Sequence, residues 1–227
     1  APGPNVADPA APGPNVADPA AQRSPCALDI AQRHFARVTF DLIYARPGQG
    51  EAQWRSELAR ALAFGTGHLS LYQLTIEPGT RFATLVRENR FTPLDDDAAA
   101  DLFAPTLEMA DAAGLPAYEI SNHARPGEES RHNLTYWRYQ DYCGIGPGAH
   151  GRRGGVATVR HRKPENWLSA IERQGDGIAE TRALPAGEQA AEAMLMGLRL
   201  REGVDLAAMA ARFALDGAAL CDPAKLA

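Results

Sequence analysis

Between Arg37 and Ile120, apolar runs of strand length alternate with stretches of helical period, and this alternation restricts the chain to architectures built on a parallel sheet. Arg37-Val-Thr-Phe-Asp-Leu-Ile-Tyr44 is rich in β-branched and aromatic residues and stops before Pro47-Gly48, so it reads as a strand. Adjacent Leu42 and Ile43 suit a strand covered on both faces. Glu51–Phe64 places Trp54, Leu58 and Leu62 on one helical face and ends at Gly65 and Gly67. His68–Ile76 reads as a second strand and Thr80–Asn89 as a short helix. Asp95–Ala113 reads as a longer helix bent near Pro105, and Pro116–Ile120 as a third strand. Helical stretches between strands are the spacing of βαβ units and predict parallel strands with right-handed crossovers. Ser24-Pro25 is a cap and first-turn pair for a helix through Phe35.

From Ser121 to Arg162 the texture changes to Gly, His, Arg and aromatics without a clean period. A connection of that length is functional or disordered, and its aromatics argue for order. Pro164–Arg173, Gly187–Arg201 and Val204–Leu215 then show helical patterns, read as a small helical C-terminal domain, with a further helix beginning near Cys221. At the other end, Ala1–Ala10 (APGPNVADPA) is repeated unchanged as Ala11–Ala20. Such a segment buries too little surface to offset ordering and reads as a flexible tail. The expected organisation is a tail over 1–23, an α/β unit over 24–162 and a helical domain over 163–227.

Lys and Arg number 23 against 28 Asp and Glu, a net charge of −5, which argues against a nucleic-acid partner. No apolar run has the length of a transmembrane segment, and no basic segment followed by an apolar stretch marks a secretory signal. The cysteines Cys26, Cys143 and Cys221 are few and far apart, which fits a reducing, cytoplasmic location.

Gly146-Pro-Gly-Ala-His-Gly151 matches GxGxxG, but Gly154-Gly155 would break the helix that a dinucleotide site requires. The motif therefore reads as a loop whose backbone comes close to a ligand or a neighbouring strand. His123, His132, His150 and Cys143 lack tight metal-ligand spacing. Arg125, Arg131, Arg138, Arg152, Arg153, Arg160 and Arg162 are interleaved with Tyr136, Trp137, Tyr139 and Tyr142. This mixture suits a flat anion such as a propionate-bearing porphyrin, stacked bases, or a merely solvated loop. Asp41 lies inside an apolar strand, where an ionisable group is costly unless paired or functional.

Six segments, in order, resemble one family: Phe40–Gln49, His68–Thr80, Tyr118–Gly127, Ser130–Trp137, Asp141–Gly151 and Leu195–Val204. The family is the HemW-like haem chaperones, radical S-adenosylmethionine (SAM) proteins related to oxygen-independent coproporphyrinogen III oxidase. The resemblance runs from about Cys26 onward. It implies an α/β fold: part of a radical-SAM (β/α) barrel with parallel strands, followed by a small helical C-terminal domain. It also implies SAM and a 4Fe–4S cluster as the family's cofactors, haem as a ligand, and haem-accepting proteins as partners. Asp41, Ile43, Thr75 and His150 match SAM-contacting positions of the family, whereas His123 stands where phenylalanine is usual.

No CxxxCxxC motif is present, so the cluster ligands have no counterpart here. The expectation is an internal fragment, cut short at both ends, with an unpaired sheet edge and marginal stability. Without cluster ligands, neither SAM cleavage nor decarboxylation is expected, and no catalytic or metal-ligating residue is assigned. A non-catalytic porphyrin- or partner-binding module is the alternative function. If a ligand site survives, it is expected in Ser121–Arg162. There arginines would pair propionates, aromatics would stack, and His132 or His150 would approach iron, unless Arg131, His132 and Asn133 merely tie the loop to the barrel.

Overall fold

The computed structural model describes residues 24–216. The repeated decapeptide and the helix expected near Cys221 lie outside them. In chain order the elements begin with α1 (Ser24–His34), β1 (Asp41–Tyr44), α2 (Glu51–Leu62) and β2 (His68–Gln73). Next come α3 (Arg81–Arg87), α4 (Asp96–Asp101), α5 (Phe103–Ala112), β3 (Asn122–Ala124) and α6 (Arg131–Trp137). The chain continues through β4 (His150–Arg153), β5 (Val156–Arg160), α7 (Pro164–Gln174), β6 (Ile178–Ala183), α8 (Ala186–Gly197) and α9 (Leu206–Phe213).

The first sheet has the order β1-β2-β3. β1 and β2 are parallel, with Leu42 opposite Leu71 and Tyr44 opposite Gln73. Alternation sends Leu42, Tyr44 and Leu71 to one face, where they pack with Trp54 and Leu58 of α2, Leu69 and Leu102. The apolar spacing read from Trp54 and Leu58 is thus the buried face of α2. Trp54 stacks on Tyr44 at 4.7 Å and donates its indole N–H to the Thr106 hydroxyl at 2.7 Å. That hydroxyl in turn donates to the Leu102 carbonyl at 2.6 Å.

Two expectations need correction. Asp95–Ala113 is not one bent helix but two, broken at Leu102. A prolyl nitrogen cannot donate, and its ring crowds the carbonyl four residues back, so the effect of Pro105 falls one turn before it. The third strand is not Pro116–Ile120 and is not parallel. It is β3, antiparallel to β2, with His68 opposite Ala124 and Ser70 opposite Asn122. Residues 116–120 form the arm that turns into it, joined by a single bridge from Ala117 to His123.

The second sheet, β4-β5-β6, is an antiparallel meander. Gly154 and Gly155 close the β4–β5 hairpin, both at positive φ (58° and 73°), as the two-residue turn matching strand twist requires. The Ser121–Arg162 stretch, expected as irregular, therefore supplies β3, α6, β4 and β5. β6, unforeseen among the helical patterns, pairs with β5 across α7. Beyond it, α8 and α9 pack Ala190, Ala193 and Phe213 around Tyr139.

Candidate functional site

The face of β1–β2 turned away from the core carries Asp41 and Ile43, paired in register with Ser70 and Tyr72. Ile43 and Tyr72 are large and exposed, which is unusual for strand residues flanking a core. Asp41 is exposed beside them, and Thr75 is exposed just past the end of β2. Of the four residues carried by resemblance, Asp41 and Ile43 therefore share a face and Thr75 follows it. His150 is exposed at the start of β4, in the other sheet. Among the described residues no group of three or more His, Cys, Asp or Glu could hold a metal ion. The described residues thus do not fit an iron–sulfur cluster.

Behind β2 lies a polar joint that sequence reasoning did not assemble. Glu119 has a fully buried side chain. One oxygen accepts from the Ser121 amide at 2.9 Å and from the Asn122 side-chain amide, and the other pairs with Arg199 at 2.9 Å. Arg199 also lies over the Trp137 ring at 4.4 Å, and Glu119 bridges to Leu200. The arm before β3, α6 and the segment after α8 are thereby fastened at one point. Above it, the His68 ring bonds to Thr39 Oγ1 at 2.7 Å and to the Tyr118 hydroxyl at 2.9 Å. Asn133 donates to the same hydroxyl at 3.2 Å, as a residue tying the loop to the barrel would. The signal for this set, polar residues in apolar company, is present at Glu119 and His68. Their partners are distant in sequence, up to 80 residues for Arg199.

The arginines and aromatics of the glycine-rich segment serve largely to hold it together. Arg152 is buried, lies 3.3 Å from the Tyr139 ring centre and donates to the Gln140 carbonyl. Arg160 donates to the Gly144 carbonyl at 2.6 Å, Arg125 to the Gly65 carbonyl, and Arg138 pairs with Glu202 at 2.8 Å. Tyr139 is buried and bonded to Glu192, and desolvation raises its pKa well above the usual phenol range. His132, Tyr136 and Tyr142 form an edge-to-face chain with steps of 4.7 and 4.5 Å. Gly146–Gly151 runs into β4 rather than into a helix, so no dinucleotide-type helix N-terminus follows it. The close approach expected of that loop is present. A Cβ at Gly144 would sit 2.2 Å from the His150 carbonyl oxygen, and one at Gly151 would sit 2.8 Å from the Gly144 nitrogen.

His123 is wholly buried in β3. Desolvation lowers its pKa, and desolvation followed by the charge of Arg37 lowers that of His68. Both rings stay neutral in the fold, while the unfolded chain protonates near the ordinary histidine value of about 6.5. Their contribution to stability is therefore complete above that pH and is lost as pH falls below it. We expect a urea midpoint that is level between pH 7 and 8 and drops toward pH 5, with a smaller drop in His123→Phe. A wild-type midpoint that holds or rises on acidification would refute the neutral assignment.

The HemN C-terminal domain family matches residues 184–227. Over 185 residues the chain is 34% identical to the heme chaperone HemW of Bacillus subtilis (strain 168), covering 81% of this chain and 49% of that protein. It is 37% identical to the heme chaperone HemW of Synechocystis sp., covering 77% and 43%. It is 35% identical to the mitochondrial radical S-adenosyl methionine domain-containing protein 1 of Danio rerio, covering 74% and 40%. The chain thus spans less than half the length of these relatives. In structure it is similar to coproporphyrinogen III oxidase (HemN) from Escherichia coli, a radical SAM enzyme. The TM-score is 0.67 at 16% identity, over 85% of this chain and 47% of that one.

Proposed function

We propose that the chain belongs to a HemW-like radical SAM protein and serves that protein's handling of haem, binding the macrocycle and passing it to acceptor proteins; the support is the similarity to the HemN C-terminal domain family and to the heme chaperones HemW. The observation that supports haem binding by this part is what remains free once the internal contacts are made. His132 and His150 are exposed imidazoles with no hydrogen-bond partner among the described residues. Arg131, Arg153 and Arg162, from the same segment, are exposed and unpaired. An imidazole can ligate haem iron and guanidinium groups pair with propionates. In this reading Asp41, Ile43 and Thr75 belong to the SAM side of the longer protein, and His150 serves one ligand or the other. When bound, SAM and the cluster would supply radical chemistry. No described residue set holds the cluster, and the role assigned to this chain is binding. The alternative, a porphyrin- or partner-binding module without chemistry, rests on the same exposed histidines and arginines.

Haem titration followed by the Soret band tests the reading. We expect saturable binding, and a shifted Soret band with weaker affinity in either His132→Ala or His150→Ala. If neither substitution changes band or affinity, histidine ligation by this segment is wrong. No helix among the described residues is long and apolar enough to cross a membrane. The sparse, separated cysteines support the cytoplasm as its location, with the mitochondrial relatives naming the competing compartment, which a fluorescent fusion would distinguish.

A further inference from the structure

A cavity of about 360 Å³ opens at the N-terminal edge of the parallel pair, lined by Arg37, Val38, Thr39, His68, Glu128, Ser130 and Arg131. The hydrogen bonds leading to it form one connected chain. The Asn133 side-chain nitrogen donates to the Tyr118 hydroxyl at 3.2 Å, and the same hydroxyl stands within hydrogen-bond distance of the His68 ring. With the Tyr118 proton directed to His68 Nε2, 2.9 Å away, the ring is the acceptor of that bond. A neutral imidazole that accepts at Nε2 carries its hydrogen on Nδ1, and Nδ1 lies 2.7 Å from Thr39 Oγ1. In that tautomer Thr39 accepts from the ring, and its hydroxyl hydrogen is left for whatever occupies the cavity.

The other walls, Glu128 excepted, agree in sign. Ser130 Oγ accepts from the Asn133 amide at 3.3 Å, so its hydrogen is also available. The Arg131 guanidinium lines the cavity without a protein partner among the described residues. Arg37 is fixed by donating to the carbonyls of Glu128 and Glu129 and keeps its charge. Glu128 is the one carboxylate in the wall, and it lies against Gly67, where a Cβ would meet its oxygen. Asp41 stands further along β1 and is not part of the lining.

The geometry points to a binding site for a small oxyanion, with Thr39 as a hydrogen-bond donor oriented through His68, Tyr118 and Asn133, and Arg131 as the charged partner. The shared chemistry is that of a phosphate or a compact carboxylate, which accept such bonds and pair with guanidinium. Thr39, His68, Tyr118 and Asn133 are positioning residues around that ligand, and the site does not depend on haem binding.

Histidine-labelled full chain tests it in two steps. Long-range proton–nitrogen spectra should show the Nδ1–H tautomer at His68, and finding the Nε2–H tautomer would overturn the directed chain. Inorganic phosphate and citrate are then titrated against sodium chloride at equal ionic strength, reading the Thr39 amide and His68 ring signals. Saturation by phosphate alone identifies a phosphate-type ligand, and by citrate alone a carboxylate. Shifts from both no larger than those from chloride refute the site. Thr39→Val and Arg131→Ala should each weaken binding about tenfold, the loss of one charge-assisted hydrogen bond, while Thr39→Ser keeps wild-type affinity. Unchanged binding in both Thr39→Val and Arg131→Ala would equally refute it.

Discussion

Replacing Arg199 with alanine is expected to cost about 3 kcal/mol of stability and to lower the urea midpoint by about 1 M or more. The reason is what remains behind. Glu119 has a side chain with no exposure, and Arg199 is the cation paired with it. Removing that cation strands a carboxylate in a closed site and also uncovers Trp137. The pair itself is not the source of the loss, because taking two charges out of water offsets most of their attraction. A Glu119→Gln/Arg199→Met double variant, which keeps an oxygen to accept from Ser121 and Asn122, should therefore recover most of what Arg199→Ala loses. If the double variant is as unstable as the single one, the joint contributes through shape rather than charge.

Trp54→Ala is the second large loss, about 3–5 kcal/mol, because a wholly buried indole leaves a cavity that the surrounding core cannot close. It touches both sides of the first layer, stacking on Tyr44 of β1 and bonding to Thr106 of α5. Trp54→Phe keeps the stack and loses the hydrogen bond, at a cost of about 1 kcal/mol. The near-ultraviolet circular dichroism of Trp54→Ala should flatten while the far-ultraviolet signal persists. A wild-type melting profile in Trp54→Ala would show that α2 is not the element holding the sheet.

The first sheet was legible where apolar residues carry it. Leu42, Tyr44, Leu69 and Leu71 are buried or partly buried strand residues, and Trp54 and Leu58 lie on the helix face read from their spacing. β3 was not legible, because Asn122 and His123 are buried by virtue of hydrogen bonds and neighbours that a one-dimensional reading does not display. The Tyr118–Ile120 run looks more strand-like than the strand itself. β4 and β6 were missed for a related reason. His150–Arg153 and Ile178–Ala183 have little apolar alternation, since the meander is held by backbone pairing and by Arg152 seated among tyrosines. The Gly154-Gly155 pair is the signal for the hairpin, since a helix-breaking glycine pair also suits a two-residue turn. For the candidate site, the family resemblance offers Asp41, Ile43, Thr75 and His150 one at a time. The arrangement of Thr39, His68, Tyr118 and Asn133 depends on four segments meeting, and no local pattern encodes that.

The distance along the chain between Glu119 and Arg199 has a consequence for how the protein is made. A ribosome adds roughly 5–20 residues per second, so the 80 residues separating the two take on the order of 4–16 s to synthesise. Throughout that interval Glu119 has the Ser121 amide and the Asn122 side chain as its nearby partners and lacks its cation. The polar joint that fastens the early α/β portion to the segment after α8 is thus completed late in synthesis.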